Sequence, residues 1–368
     1  MILYKNWLKI SIILLGILLF TVGLINYYID PLLCFSHANR FNSKVIDFDE
    51  RQQKTDDISF KNFNYNALII GSSRTTFIDQ NSFKPLKAYN YACKSMRPSE
   101  YISYINYAKA RNKKNFDYII IGFDFFGTNA NFNTEKYENV KSPKYYLNNI
   151  TNPLYRLKTI LSFDCLKLSI KTIILNLQKS SVNMDYYYRQ DNIKIAHKRS
   201  LKDFKSDLNS QLKKYDEQVY KNYIYDKSIN NILSKLKKEN PKTKFLIYTT
   251  PVSLPLFKLM VKDNRFNDYC QWLRDLTRIN GNVYNFMDLN SITNNYDKYF
   301  MDAHHLYPET AGLIGKRIIA KDNLINDFGF KLTPYNIENY IKNLNASIKA
   351  SSYKDFNNLE LILEGKKQ

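Results

Sequence analysis

The chain has 368 residues, 44% of them hydrophobic, and a formal net charge of +20. This length suits one large domain with an insertion or two small domains, and the hydrophobic content suffices for a sizeable core. The basic residues form no long block, which excludes a nucleic-acid-binding tail. The charge favours anionic lipid headgroups, teichoic acid or acidic polysaccharide as partners, although a composition rich in Lys and Asn accounts for it equally well.

An uncharged run, rich in Ile and Leu, occupies residues 10–28 and follows Lys5 and Lys9. About twenty such residues in a helix can cross the hydrocarbon core, and the preceding lysines predict that residues 1–9 are cytoplasmic. A cleavable signal peptide is the alternative, but no Ala-x-Ala site follows the run. We predict an uncleaved single-pass anchor, a polar stalk at residues 29–61, and the remainder of the chain outside the membrane.

The stretch at residues 66–75 reads Asn-Ala-Leu-Ile-Ile-Gly-Ser-Ser-Arg-Thr. Its apolar run ends at Gly71, which predicts a buried strand that stops at a tight turn. A serine at such a turn lies at the carboxyl edge of a sheet, where open α/β sheets bind ligands. It can act as a nucleophile if a base reaches it. The alternative is a serine that caps a helix.

A second polar cluster lies just ahead of a helix that Pro308 opens. Asp302 precedes His305 by three residues, and His304 stands between them. At this spacing the carboxylate can bind one ring nitrogen of the histidine, which leaves the other free to take a proton from a serine. The alternative is a pair of surface histidines with Asp302 as a helix cap.

The remaining pattern alternates strands with helices. Strands are predicted at residues 88–92, 118–123, 244–249 and 283–287, and helices at 98–111 and 308–320. This alternation implies right-handed crossovers and a flavodoxin-like parallel sheet of about five strands, within a domain at residues 62–321. Residues 322–368 are predicted to form a polar tail with a short helix at 337–344.

A segment too long for one crossover, about residues 130–242, is predicted to be a helical insertion packed on the sheet. Apolar stripes predict helices at residues 147–177, 201–219 and 229–236. Tyr187 and Arg189 are candidates for substrate binding, since aromatic rings stack on sugars and arginine holds carboxylates or phosphates. A half-buried tyrosine strand is the alternative.

Gly71-Ser72-Ser73-Arg74 and the Asp302/His305 pair together resemble the SGNH (GDSL-like) hydrolase and acyltransferase superfamily across residues 66–319. The resemblance implies a three-layer α/β sandwich with Ser73 as nucleophile, His305 as base and Asp302 as its partner. The Asp-x-x-His spacing favours His305 over His304, which we assign to possible substrate binding.

The superfamily usually supplies oxyanion donors from a glycine after its second strand and an asparagine after its third. Here Lys94 and Ser95 stand in the first position, so their backbone N–H groups are the candidate donors. Asp124 stands in the second, where an ionised carboxylate accepts hydrogen bonds and cannot donate them. We expect Asp124 to hold Arg74 or the serine turn instead.

The anchor and these motifs also resemble the bacterial, membrane-anchored extracytoplasmic branch that works with membrane-bound O-acyltransferases, such as alginate O-acetyltransferases and teichoic acid D-alanine transfer proteins. The resemblance implies an O-acyltransferase, most plausibly for acetyl groups, that modifies a cell-surface or secreted polysaccharide. An anchored esterase and a catalytically inactive scaffold subunit are the alternatives. We predict no cofactor. We also predict no metal, because Cys34, Cys93, Cys165 and Cys270 show no metal-ligand spacing and no clustered Cys/His ligand set exists outside His304-His305.

Overall fold

The structure of the protein is a computed structural model. It describes residues 2–46, 49–132, 140–178, 185–320 and 327–350. The chain divides into two compact units, each assembled from two separate segments. The first unit is drawn from residues 1–63 and 142–197, and the second from residues 64–141 and 198–368. The predicted tail beyond residue 350 lies outside the described residues.

Helices alternate with short strands along the described residues. The strands are β1 (Lys44–Val45), β2 (Ala67–Gly71), β3 (Ala88–Asn90), β4 (Tyr118–Phe123), β5 (Tyr186–Arg189), β6 (Lys194–Ala196), β7 (Lys244–Thr249), β8 (Val283–Asn285) and β9 (Phe330–Leu332). The α-helices are Ile2–Ile29, Glu50–Phe60, Ser73–Thr76, Pro98–Asn112, Pro143–Thr151, Tyr155–Ile160, Phe163–Leu177, Leu201–Tyr215, Ser228–Glu239, Leu254–Lys262, Phe266–Asn280, Ser291–Asn294, Tyr296–Tyr299, Pro308–Ala320 and Ile337–Ala350.

The N-terminal helix contains a stretch, Tyr4–Ile29, that is long and apolar enough to cross a membrane. Its last turns are packed inside the first unit. The side-chain amide of Asn26 donates to the carbonyl oxygens of Ile160 and Ser162, at 2.8 and 2.9 Å, and its oxygen accepts from the Ser169 hydroxyl at 2.9 Å. Because buried polar groups are costly unless they are paired, these bonds join the helix to the unit.

Residues 29–61, predicted to form a stalk, are instead part of the folded first unit. The helix Glu50–Phe60 is buried along most of its length. Its Glu50 carboxylate binds the Lys194 ammonium at 2.8 Å, with both side chains 3% exposed, and accepts from the Tyr188 hydroxyl at 2.5 Å. The polar composition predicts a solvated segment, but the charge of Glu50 is paired with residues more than a hundred positions away in the chain.

A buried carboxyl group in this unit makes stability depend on pH. Burial raises the pKa of Asp56 to about 8, although Gln52 and Tyr155 each donate a hydrogen bond to it at 2.8 Å. In an unfolded chain the pKa is about 3.9. The folded protein therefore holds this proton more tightly, and the free energy of unfolding falls as the pH rises from about 4 to about 8.

We expect the neutral substitution Asp56→Asn to remove the loss of stability that wild type shows as the pH rises. The melting temperature of Asp56→Asn should therefore exceed that of wild type at about pH 8.5, and by far less at about pH 5. The measurement is thermal unfolding of the full-length protein in detergent. Asp164→Asn, at a carboxylate whose side chain is 88% exposed, is the control. Parallel curves of melting temperature against pH for wild type and Asp56→Asn would contradict the expectation.

The segment at about residues 130–242, predicted to be a single insertion, is divided between the two units. Its helices between residues 143 and 177 belong to the first unit, where the helix Phe163–Leu177 packs against the N-terminal helix and β1. The helix Leu201–Tyr215 belongs to the second unit, and its predicted apolar stripe is buried except at Leu201, which is 67% exposed. The buried residues of this helix are Phe204, Leu208, Leu212 and Tyr215.

The second unit is built on a six-stranded sheet in the order β3-β2-β4-β7-β8-β9. The first five of these strands pair in parallel, and β9 pairs antiparallel to β8. The prediction of a mostly parallel central sheet is therefore confirmed. Strands β2 and β4 lie near its centre and are almost wholly buried, as their unbroken apolar runs require.

The second unit extends beyond residue 321, where the sequence predicted that the domain would end. Strand β9 completes the sheet, and the helix Ile337–Ala350 packs beside the helix Phe266–Asn280. The hydroxyl of Tyr340, on the former helix, donates to the Asp288 carboxylate at 2.6 Å. These contacts are long-range, so the local polarity of residues 322–350 did not reveal them.

Candidate active site

The site begins where the chain leaves β2. Gly71 and Gly122 lie opposite each other on β2 and β4, and a Cβ atom at either position would overlap the hydroxyl of Thr75. Without those atoms the chain turns tightly enough for the Thr75 hydroxyl to bond with that of Tyr248 at 2.9 Å. The glycine pair therefore permits the turn on which Ser73 lies.

The two serines of this turn have different roles. Ser72 is the N-cap of the helix Ser73–Thr76, and its hydroxyl accepts the backbone N–H of Arg74 at 3.3 Å. Ser73 is the first helical residue and is half-buried, whereas Ser72 is fully buried. The capping and nucleophile interpretations thus apply to adjacent residues, Ser72 as the cap and Ser73 as the accessible hydroxyl.

The turn before the helix Pro308–Ala320 carries Asp302 and His305. Oxygen Oδ1 of Asp302 accepts the backbone N–H groups of His304 and His305 at 2.8 and 2.9 Å. Side-chain oxygens of aspartate commonly stabilise turns in this way. The backbone N–H of Met301 donates to the His305 carbonyl at 2.7 Å and closes the turn. Asp302 therefore orients the backbone that carries the histidines.

Ser73, His305 and Asp302 form a continuous hydrogen-bonded relay. Nε2 of His305 lies 2.9 Å from Oγ of Ser73, a residue 232 positions away in the chain, and Nδ1 lies 2.7 Å from Oδ2 of Asp302. A proton on Nδ1 bonds to the carboxylate and leaves the Nε2 lone pair facing the serine. This tautomer is the one that accepts a proton from serine.

The carboxylate of this relay is strongly biased towards its charged form. Burial alone would raise the pKa of Asp302, but His305, His304 and their hydrogen bonds outweigh it and hold the pKa far below its usual range. Burial lowers the pKa of His304 well below its usual value, and the neighbouring His305 adds to that effect. His304 is therefore neutral at neutral pH.

Arg74, directly after the serine, lies in a buried polar network. Its guanidinium donates to the hydroxyls of Tyr215 and Thr250, at 2.7 and 3.2 Å, and lies 3.5 Å from the carboxylate of Asp124. The Thr250 hydroxyl donates to the same carboxylate at 2.6 Å. The charged side chains are only 3% and 2% exposed. The network connects the ends of β2, β4 and β7.

Burial raises the pKa of Asp124, and Arg74 offsets this only in part. For Arg74, burial acts to lower the pKa, but Tyr215 and Asp124 outweigh it, so the guanidinium stays charged. Oδ1 of Asp124 accepts from Thr250 and faces Arg74, so this carboxylate acts as an acceptor.

The turn after β3 carries the candidate oxyanion donors. The backbone N–H of Cys93 bonds to the Gly71 carbonyl at 3.1 Å, which links this turn to the one that holds Ser73. Lys94 is exposed, and Ser95 has φ of +52°, in the left-handed region that glycine adopts most readily. Ser95 thus occupies a backbone conformation that glycine adopts most readily.

Because a side chain in this region costs about 1 kcal/mol, we expect Ser95→Gly to leave the free energy of unfolding unchanged or to raise it by up to about 1 kcal/mol. The same change at Ser206, exposed inside the helix Leu201–Tyr215, should lower it by about 0.5 kcal/mol. Denaturant unfolding of the two variants gives the comparison. A larger loss in the free energy of unfolding for Ser95→Gly than for Ser206→Gly would contradict the assignment of backbone strain to Ser95.

The other predicted binding residues lie in the first unit. The Tyr187 ring packs on that of His197, 5.9 Å between centroids, and Arg189 binds Asp191 at 2.7 Å in a largely exposed pair. Both residues lie on β5, so the alternative of a half-buried tyrosine strand describes their local structure. His304, by contrast, lies in the second unit beside the relay.

Tyr215 and Thr250 are site residues that the sequence analysis missed. Thr250 directly follows the predicted strand at 244–249, so the rule that found Ser73 would also have selected it. Tyr215 falls on the apolar stripe predicted for residues 201–219, and its hydroxyl contact with Arg74 and ring contact with His304 distinguish it from the rest of that stripe. It directly precedes a π-helical turn, Asp216–Tyr220, a feature frequent at functional sites.

A hydroxyl, an imidazole and a carboxylate in this order can activate a serine for attack on a carbonyl carbon. The buried Arg74 network supports the turn that carries Ser73. Among the contacts of the described residues, it does not bond to the Ser73 hydroxyl. In comparisons with protein-family models, curated proteins and solved structures, none matches this chain. The chemistry of the site is therefore inferred from its residues and their geometry.

Proposed function

We propose that the chain is a serine-dependent O-acyltransferase of the SGNH type, with Ser73 as nucleophile, His305 as general base and Asp302 as its partner. The observation that carries the proposal is the Ser73–His305–Asp302 relay, with bonds of 2.9 and 2.7 Å. Ser73 and His305 are partly accessible, whereas Asp302 is buried. A substrate needs access only to the first two.

The strand order supports an SGNH-type, flavodoxin-like fold. Counted from β2 along the chain, the five parallel strands have the order 2-1-3-4-5. Ligands of such sheets bind outside the carboxyl ends of the strands, where the order reverses. Ser73 and Asp124 follow the two strands on either side of that point, β2 and β4.

The proposed reaction has two half-reactions. The Ser73 hydroxyl attacks the acyl carbonyl as His305 Nε2 takes its proton, and that proton then passes to the leaving group. In the second half, an acceptor hydroxyl attacks the acyl-serine ester, its proton passes to His305, and Ser73 regains a proton as it leaves. The oxyanion of each tetrahedral intermediate needs N–H donors. We assign these to Ser73 and to the turn of Lys94 and Ser95.

The anchor and the charge suggest the partners. The apolar N-terminal helix would hold the site on the extracytoplasmic face of a bacterial membrane, and a membrane-bound O-acyltransferase would supply the acyl group, which we propose is acetyl. The acceptor would be a hydroxyl of a cell-surface or secreted polysaccharide. The net charge of +20 suits an acidic polymer of this kind.

The test is the mass of the intact full-length protein, in detergent, after treatment with a fluorophosphonate or with p-nitrophenyl acetate. We expect one adduct per chain, lost in Ser73→Ala and retained in Ser99→Ala, an exposed serine on the neighbouring helix Pro98–Asn112. An adduct that persists in Ser73→Ala would contradict the assignment. No adduct on the folded wild type would favour the scaffold alternative.

Added oligosaccharide then separates transferase from esterase. A transferase should move the acetyl group from Ser73 to the oligosaccharide, which gains mass as the acyl-enzyme disappears. An esterase should release acetate at a rate that the oligosaccharide does not change. The esterase uses the same residues, so only this partition between acceptor and water distinguishes the two activities.

A further inference from the structure

Two histidines and one carboxylate converge beside the nucleophile. Asp302, His304 and His305 each offer a ligand atom, and these atoms lie within 4.8 Å of one another. Nδ1 of His305 is 2.7 Å from Oδ2 of Asp302, and Nδ1 of His304 is 3.8 Å from Oδ1. Two imidazole nitrogens and a carboxylate oxygen are a ligand set that binds Zn²⁺, with a fourth position left for water.

His304 is the member of this cluster that the proposed reaction does not use. It is 8% exposed, and its Nδ1 has no hydrogen-bond partner among the described residues. Buried side-chain nitrogens are normally paired. An unpaired, buried imidazole nitrogen that faces a carboxylate from 3.8 Å is suited to a ligand that both atoms can bind.

The backbone holds the cluster ready for such a ligand. Asp302 accepts two backbone N–H groups through Oδ1, so its carboxylate is fixed in position. The rings of His304 and His305 are 4.1 Å apart between centroids, and Tyr215 packs on the His304 ring at 5.3 Å. Zinc bonds of about 2.0–2.2 Å require the rings to rotate so that their nitrogens and the carboxylate oxygen surround the metal.

We propose that Asp302, His304 and His305 form a Zn²⁺ site and that zinc bound there switches the nucleophile off. The metal takes the Nδ1 lone pair of His305, so the proton on Nδ1 leaves and a proton is taken up on Nε2. His305 Nε2 then donates to Ser73 Oγ instead of accepting from it. Zinc also occupies the carboxylate that would stabilise the imidazolium. The binding site stands on its own, whereas its inhibitory effect rests on the proposed function.

Metal binding is tested first, with Co²⁺ and Zn²⁺ alone on the full-length protein in detergent. We expect one Zn²⁺ per chain, and for Co²⁺ the intense visible absorption of a tetrahedral site. Ser73→Ala should keep both signals. His304→Ala should weaken binding at least about 100-fold, since even groups outside the ligand shell contribute 10- to 100-fold. His304→Gln repeats the test with a folded variant if the alanine variant misfolds.

His197→Ala is the matched control, because it removes a histidine of the first unit and leaves the cluster intact. It should bind zinc as wild type does. No stoichiometric zinc on wild type, or equal zinc affinity in wild type and both His304 variants, would overturn the site. These outcomes do not depend on whether Ser73 reacts.

Inhibition is tested by the rate of fluorophosphonate labelling of Ser73 with and without Zn²⁺. One equivalent should slow labelling of wild type at least about 10-fold, with recovery after a chelator, whereas each His304 variant should label at the same rate with and without zinc. Zinc bound to wild type with no change in labelling would overturn the switch. Absence of labelling in metal-free protein would instead count against the proposed function.

Discussion

Replacing His305 with alanine should lower the rate of acyl-enzyme formation at Ser73 by about 10⁴- to 10⁶-fold, the range seen when a serine triad loses its base. Nε2 of His305 is the base that lies 2.9 Å from the Ser73 hydroxyl. Without it the serine proton has no acceptor in the relay. The measurement is the single-turnover rate with p-nitrophenyl acetate in a buffer that contains a chelator.

The companion variants are His304→Ala and His197→Ala, each checked for folding by circular dichroism. His197→Ala should label at the wild-type rate. The loss caused by His304→Ala should be much smaller than that caused by His305→Ala, because no bond joins His304 to Ser73 among the contacts of the described residues. A larger loss for His304→Ala would mean that His304, and not His305, is the base.

Replacing Arg74 with alanine should lower the free energy of unfolding by about 3–5 kcal/mol, the usual cost of removing one member of a buried ion pair. The Asp124 carboxylate would then keep only its neutral partners, and the hydroxyl of Tyr215 would lose its donor. The pKa of Asp124, already raised by burial, should rise further. Denaturant unfolding of the full-length protein gives the measurement.

Lys167→Ala provides the contrast, because Lys167 and Asp164 form an exposed pair at 3.0 Å. Surface pairs contribute less than about 1 kcal/mol. The double variant Arg74→Ala/Asp124→Ala should be less destabilised than the sum of its single changes, since no unpaired charge remains. A loss below about 1 kcal/mol for Arg74→Ala would show that the 3.5 Å contact does not hold the buried charge.

The parts of the fold that local sequence determines were predicted well. Strands β4 and β7 have the predicted bounds, because unbroken apolar runs such as Tyr118–Phe123 leave little choice of structure. The helix Pro308–Ala320 begins at its proline, as predicted. The contact between Asp302 and His305 could be predicted because both residues lie in one turn of four residues, whose geometry is set by local sequence.

The division into two units could not be predicted, because it depends on pairing between distant segments. From the sequence alone Glu50 would be predicted to be solvated, but in the structure it pairs with Lys194. Asn26 interrupts an apolar helix in the sequence, but in the structure it bonds to the carbonyl groups of Ile160 and Ser162. The same holds for the site, where Arg74 and Tyr215 are 141 positions apart. The periodicity of apolar residues predicts which face of a helix or strand is buried, but it does not predict which distant segment packs on that face.

The attachment of the N-terminal helix has a mechanical consequence. Its last turns are bonded into the first unit through Asn26, so this end of the helix is held by the unit itself rather than joined to it by a flexible linker. Where the helix crosses a membrane, its tilt and depth set the height and rotation of the first unit above the lipid. Truncation at Asp30 would remove these bonds along with the apolar helix, and would leave the hydroxyl of Ser169 without this partner inside the unit.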